Sequence, residues 1–307
     1  MDYKRVIDEI EKEIKQYIGH GKVADYIPAL ARVNADKFGM AIKCVDGDEF
    51  VIGDALEPFS IQSISKAFML TLAIKYVGED LWQRVGREPS GNRFNSLIQL
   101  EYEQGLPRNP FINAGAHVVT DCVLSNCNGP QSTKETLLNF LRTHSGNPEV
   151  KFDKEVAQSE KDTGFRNEAL ANFLKSFGRI ENDVHEMLDV YYNQCSVSMS
   201  CLELCRAGSY LANGGKSVVD NSQVVSESQA KRINSLMLTC GLYDAVGEFA
   251  FCVGLPGKSG VGGGILAIIP GHLSICVWSP GLDESGNSYA GKKGLELFTS
   301  KAGLSVF

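Results

Sequence analysis

Ser63 and Lys66 stand three positions apart in Ser63-Ile64-Ser65-Lys66, at the start of an apolar stretch. If that stretch is helical, one turn brings both side chains to the same face. A serine hydroxyl is a weak nucleophile until a base takes its proton, and a lysine can serve once burial or a neighbouring cation has lowered its pKa. A helix N-terminus would also favour negative charge developing near Ser63. By itself the spacing more often marks a helix N-cap followed by an exposed lysine. A second lysine, in Lys258-Ser259-Gly260, could be the neighbouring cation. The glycines that follow it in GVGGG let a backbone approach a substrate and present an N–H to an oxyanion.

A Ser-x-x-Lys helix paired with a Lys-Ser/Thr-Gly strand resembles the serine acyl-transfer enzymes of the penicillin-recognising type. The chain departs from that pattern in having no Ser-Asp-Asn triplet. Other residues have chemistry to offer: Asn113 in the turn FINAGA, Glu160 and Asn167 in SEKDTGFRNEA, and Tyr191 in VYYNQC. Singly, each also reads as a turn asparagine, a solvated glutamate, a capping amide or a core tyrosine. Gly257-Lys258-Ser259 imitates the end of a phosphate loop, but Cys252 stands where the upstream glycine is required; Tyr210 does the same for GGKS at 214–217.

These residues need elements to hold them. Val6, Ile10, Ile14 and Ile18 mark one face of an N-terminal helix. Gly39–Cys44 and Glu49–Ile52 flank Asp46-Gly47 and predict a hairpin. Residues 60–77 predict a helix stopped by Gly78. Between about 79 and 212, helical segments alternate with Gly/Pro/Asn loops. Strands are predicted again at Phe249–Val253, Gly264–Ile269 and Leu273–Trp278, and a last helix at about 291–301. Short strands joined by tight turns favour antiparallel pairing. The economical arrangement is an α/β domain built from residues 1–78 and 213–307, with an all-helical domain of residues 79–212 inserted into it.

Composition narrows the function classes. The 307 residues are 43% hydrophobic and 22% charged, an ordinary globular balance, and the net charge of −7 offers nothing to nucleic acid. The apolar run 67–74 is far short of a membrane span, and the charged N-terminus carries no apolar signal region. Nine scattered cysteines read as reduced thiols in a cytoplasmic protein. Cys201/Cys205 and Cys122/Cys127 lack second Cys/His pairs at zinc spacing, so no metal or cofactor is expected.

Taken together, FSIQSISK, PSGNRFNSL, PRNPFINAGA, the SE and RN pairs seven apart, GLYDAVGEFA and GLPGKSGVGGGI resemble the serine-dependent glutaminases over nearly the whole chain. The resemblance implies a β-lactamase/transpeptidase-like fold and hydrolysis of L-glutamine to L-glutamate and ammonia. It implies Ser63 as nucleophile, Lys66 as general base, Tyr243 assisting proton transfer, and Tyr26 closing over the site. Ser63 and Val261 would supply oxyanion-hole N–H groups, while Asn113, Glu160, Asn167 and Tyr191 would hold the α-amino and α-carboxylate groups. Tyr191-Tyr192-Asn193 also imitates the Tyr-x-Asn element of some β-lactamases, which would make Tyr191 a proton shuttle; the resemblance favours a substrate contact. It implies a homo-oligomer, a tetramer or a dimer. The competing readings are a β-lactam-recognising serine hydrolase and a glutamine-binding sensor without turnover.

Overall fold

The computed structural model describes residues 1–91 and 96–307; residues 92–95 of the PSGNRFNSL block lie outside the described residues. Its main sheet is antiparallel throughout, with strands β1 (Gly39–Cys44) and β2 (Glu49–Gly53) from one end of the chain. A small sheet is made by β3 (Phe59–Ser60), β4 (Lys151–Phe152) and β5 (Val197–Met199), in the order β3-β5-β4. From the other end come β6 (Gly257–Ser259), β7 (Gly264–Ile269) and β8 (Leu273–Trp278). The main order is β2-β1-β8-β7-β6, so β1 pairs directly with β8, Gly39 opposite Trp278 and Cys44 opposite Leu273. The Asp46-Gly47 hairpin forms as expected, with Gly47 at φ +108° and its N–H donating to the Cys44 carbonyl.

The central strands are apolar on both faces, and the two-residue alternation sorts them. Met40, Ile42, Ile265, Ala267, Ile275 and Val277 face a layer made by helices α1 (Tyr3–Glu13) and α12 (Tyr289–Ala302). Ala41, Leu266, Ile268, Cys276 and Trp278 join the larger core on the other side. That side holds α2 (Ser65–Val77), α3 (Ile98–Tyr102), α4 (Asn113–Ser125), α5 (Gly129–Ser145), α6 (Lys154–Asp162), α7 (Phe165–Ser176), α8 (Val184–Cys195) and α9 (Cys201–Ala212). Helix α9 lies on the sheet, its Cys201 and Cys205 thiols pointing at the carbonyls of Gly39 and Ala41. Helix α2 packs against α4. Helices α10 (Glu227–Cys240) and α11 (Val246–Cys252) lead to β6. Among the described residues no helix is long and apolar enough to cross a membrane.

Two sequence expectations are corrected. The strand expected at 249–253 is helix α11, because Val246, Phe249 and Val253 recur at helical spacing toward the core while Phe251 is 88% exposed. The helix expected from residue 60 starts at Ser65, behind β3 and a 3₁₀ turn at Gln62–Ile64, because Gln62 sits at φ +49°. Gly78 does stop it, at φ +55°. The small sheet was not anticipated, since strands of two or three residues carry no readable period.

The helical layer is held by one charge. Asp121 on α4 is fully buried and pairs with Arg84; its carboxylate also accepts from the backbone N–H groups of Glu181 and Asn182 at 2.9 and 3.0 Å. Removing one partner of a buried pair strands the other. Asp121→Ala is therefore expected to lower the unfolding free energy by about 3–5 kcal/mol in urea titrations. A loss under about 1 kcal/mol, the range of an exposed pair, would contradict this account.

Candidate active site

Lys66 lies in the first turn of α2 and is 1% exposed. Its Nζ donates to Asn113 Oδ1 at 2.7 Å and to the Phe111 carbonyl at 3.1 Å. Both acceptors come from PRNPFINAGA. There Asn109 Oδ1 accepts from the N–H groups of Phe111 and Ile112, forming the turn that leads into α4. Gly115 sits so close to the Asn109 carbonyl that a Cβ would fall 1.9 Å from it. Burial pulls the Lys66 ammonium down to about 8, against the opposing pull of negative charge on its neighbours, Glu160 among them. The N-cap alternative with an exposed lysine is excluded.

Lys258 on β6 is wholly enclosed, donating to the carbonyls of Gly241 and Ser259 at 2.8 and 2.6 Å. Its Nζ lies 4.3 Å from the centre of the Tyr243 ring, over which Lys66 also sits at 5.6 Å. Burial first, then the charge of Lys66, drives the Lys258 pKa well below its ordinary value. The depression of Lys66 comes first from its own enclosure.

Ser63 occupies the 3₁₀ turn ahead of α2 and is 9% exposed. It is hydrogen-bonded to Tyr243, whose phenol is pushed up by burial and so keeps its proton at neutral pH. Gln62, beside Ser63, and Tyr243 both have positive φ, +49° and +58°. Non-glycine residues reach that region at about 1–3 kcal/mol each, and such strain gathers where a side chain must be aimed. The glycine-rich turn after β6 packs on this segment. A Cβ on Gly260 would lie 2.5 Å from the Ile61 carbonyl, and one on Gly262 would lie 2.2 Å from that of Ser60. These contacts place Val261 beside Ser63 in one cavity.

That cavity, about 280 Å³, brings together Ser63, Tyr243 and Val261 with Tyr26, Asn113, Glu160, Asn167 and Tyr191. Lys66 and Lys258 lie in its wall, behind the lining. Asn113, the first residue of α4, also donates through Nδ2 to Asn167 Oδ1 at 3.0 Å. Glu160, in the last turn of α6, is 8% exposed, and burial raises its carboxyl to about 7, opposed by a hydrogen bond from Gln62 and by the charge of Lys66. Tyr26 stands 56% exposed at the mouth. Sequence reasoning missed Gln62, Cys195 and Arg166 in the lining. Cys195 follows Tyr191 by four residues on α8, a same-face spacing that could have found it. Among the described residues, no group of three or more His, Cys, Asp or Glu side chains is arranged to hold a metal ion.

The arrangement combines a hydroxyl, a buried amine that can be neutral, proton-bearing tyrosines and one carboxylate facing neutral amides. It suits acyl transfer from a small zwitterion. Comparison with known proteins gives this a family. The sequence profile described as Glutaminase matches residues 21–307. A glutaminase of Agrobacterium fabrum is 55% identical over 306 residues, covering 100% of this chain and 99% of that protein. One of Aliarcobacter butzleri is 54% identical over the full length of both. Among solved structures, the probable glutaminase ybaS superposes with a TM-score of 0.94 at 37% identity, covering 100% of this chain and 99% of that one. The probable glutaminase from Bacillus subtilis complexed with 6-diazo-5-oxo-L-norleucine gives 0.88 at 32%, covering 97% and 94%.

Both lysines are expected to titrate below their ordinary range. Lysine-edited NMR should show Lys66 Nζ changing state near pH 8, and Lys258 Nζ shifted down as well. A Lys66 resonance that titrates near 10.5, its ordinary value, would remove the basis for a neutral amine beside Ser63.

Proposed function

The chain belongs to the glutaminase family, and from that footing we propose that it hydrolyses L-glutamine to L-glutamate and ammonia through an ester on Ser63. The observation that carries this reading is the single 280 Å³ cavity in which Ser63 faces Glu160, Asn113, Asn167 and Tyr191. Glu160 pairs with the α-ammonium. The carboxylate is met by the amides and the phenol, which carry no charge to repel the ammonium. With those ends fixed, the distance to Ser63 selects a side-chain amide two methylenes away.

Neutral Lys66 takes the Ser63 proton as Oγ attacks the amide carbon. The oxyanion is held by the N–H groups of Ser63 and Val261. Ammonia leaves with a proton from Tyr243 or Lys66, giving the γ-glutamyl ester, and water attacks the ester by the same route to release glutamate. Lys258 holds the ring of Tyr243 from behind, and Tyr26 closes the mouth. The protein that performs this is a homo-oligomer, a tetramer or a dimer, working in the cytoplasm, where its nine free thiols stay reduced. Its catalytic cleft lies between the sheet domain of both chain ends and the helical domain of residues 79–212.

Trapping tests the nucleophile. A diazoketone analogue of glutamine should label the peptide containing Ser63, and Ser63→Ala should abolish labelling and turnover while glutamine still binds. Label on a cysteine with matching loss of activity would refute the ester.

Acid tests the clamp. Ionised Glu160 is needed for binding and neutral Lys66 for attack, so kcat/KM should fall as pH drops below about 8 and fall more steeply below about 7. Glu160→Gln should raise KM by one charge-assisted contact, about 1.5–3 kcal/mol, and remove the lower limb. An unchanged lower limb in that variant would assign it to another group.

A further inference from the structure

A larger cavity, about 790 Å³, opens away from Ser63, between the outer face of α10, the end of α9, Pro256 and the β7–β8 turn. We infer that it is a second binding site, for a short apolar peptide with free termini. Three observations converge on that chemistry. Glu227 and Lys231 line the cavity one helical turn apart on α10, and among the described residues neither is engaged in an ion pair. Side chains at that spacing are separated by about 5–6 Å, and a dipeptide spans about 7 Å, so one molecule can offer its amine to Glu227 and its carboxylate to Lys231.

Asn234 lies one turn further on and is 6% exposed. Its Nδ2 donates to the Leu211 carbonyl at 2.9 Å, while its Oδ1 has no protein partner. A buried acceptor left unpaired carries a desolvation penalty, and a peptide N–H would relieve it. Leu211, Ala230, Leu238, Pro256 and Val306 make the remaining walls largely apolar, with Asn213, Ser228 and Ser235 the polar exceptions. The volume falls in the range of small-molecule pockets and exceeds what one amino acid fills.

The site leads to the catalytic one. Helix α10 runs on into Gly241 and Tyr243, and Pro256 immediately precedes β6 with Lys258. The two segments touch at Gly241, which a Cβ would drive to 1.8 Å from the Gly257 carbonyl, and its own carbonyl accepts from Lys258 Nζ. A peptide wedged between α10 and Pro256 bears on both supports of Tyr243.

Calorimetric titration of the intact protein with Leu-Leu and Leu-Leu-Leu tests this. At least one of them should bind one per chain with Kd of about 1 mM or tighter. N-acetylated or C-amidated forms, Glu227→Lys and Lys231→Glu should each weaken binding about tenfold. The double exchange E227K/K231E should recover most of it, with the peptide reversed, and Leu238→Trp should block it by filling the cavity. In glutamine hydrolysis, bound peptide should change kcat. Absence of saturable binding, or binding indifferent to the charge variants, would overturn the proposal. So would purely competitive inhibition that persists in E227K/K231E, since that would place the peptide in the Ser63 cavity.

Discussion

Lys66 carries its ammonium in a space where, among the described residues, no carboxylate is bonded to it, held by one amide oxygen and one backbone carbonyl. Burying a charge this way is costly, and the group answers by easing toward its neutral form. The rest of the site follows from that choice. The Phe111 carbonyl is available only because the Asn109 turn directs it inward, and Asn113 Oδ1 only because α4 begins there. Asn113 also donates one Nδ2 hydrogen to Asn167, so Lys66, Asn113 and Asn167 form one hydrogen-bonded chain. Moving α4 against α2 would disturb the whole of it.

Directly behind that chain lies His117, fully buried against Tyr191 at 4.5 Å between ring centres. Burial, with Lys66 adding its repulsion, brings the imidazole to about 3. It is neutral at every working pH and adds no second cation behind that chain. The glycines of the turn after β6 act from the opposite wall. Their missing side chains are the space through which one backbone is pressed on another, with Gln62 and Tyr243 held in strained conformations on either side of Ser63.

Much of this was readable before the structure. The Asp46-Gly47 hairpin, strands β7 and β8 and the stop at Gly78 all follow from local turn chemistry and short-range apolar runs. Eight of the ten residues singled out from the sequence line a single cavity, and the other two stand in its wall. Failures occurred where local signal competes with packing. FAFCV alternates like a strand, but Val246 and Phe249 had already set a helical face. Whether burial or a neighbouring cation lowers Lys66 stayed open, because sequence cannot say how deeply a lysine is enclosed. Gln62 and Cys195 have no motif of their own and reach the lining only through the turn and helix that carry better-marked neighbours.

The pairing of β1 with β8 joins residues 39–44 to residues 273–278 at the middle of the sheet. Contacts so far apart along the chain close slowly, since a long loop must be ordered before they reward it. During synthesis the first hairpin emerges early and waits, its inner edge unpaired, until nearly the whole chain has left the ribosome. Over that interval Gly39–Cys44 is an apolar strand edge without a neighbour, the kind of surface that aggregates or recruits a chaperone. The architecture that lets both ends of the chain meet beneath one cleft therefore leaves the nascent protein with an open apolar strand edge for as long as translation lasts.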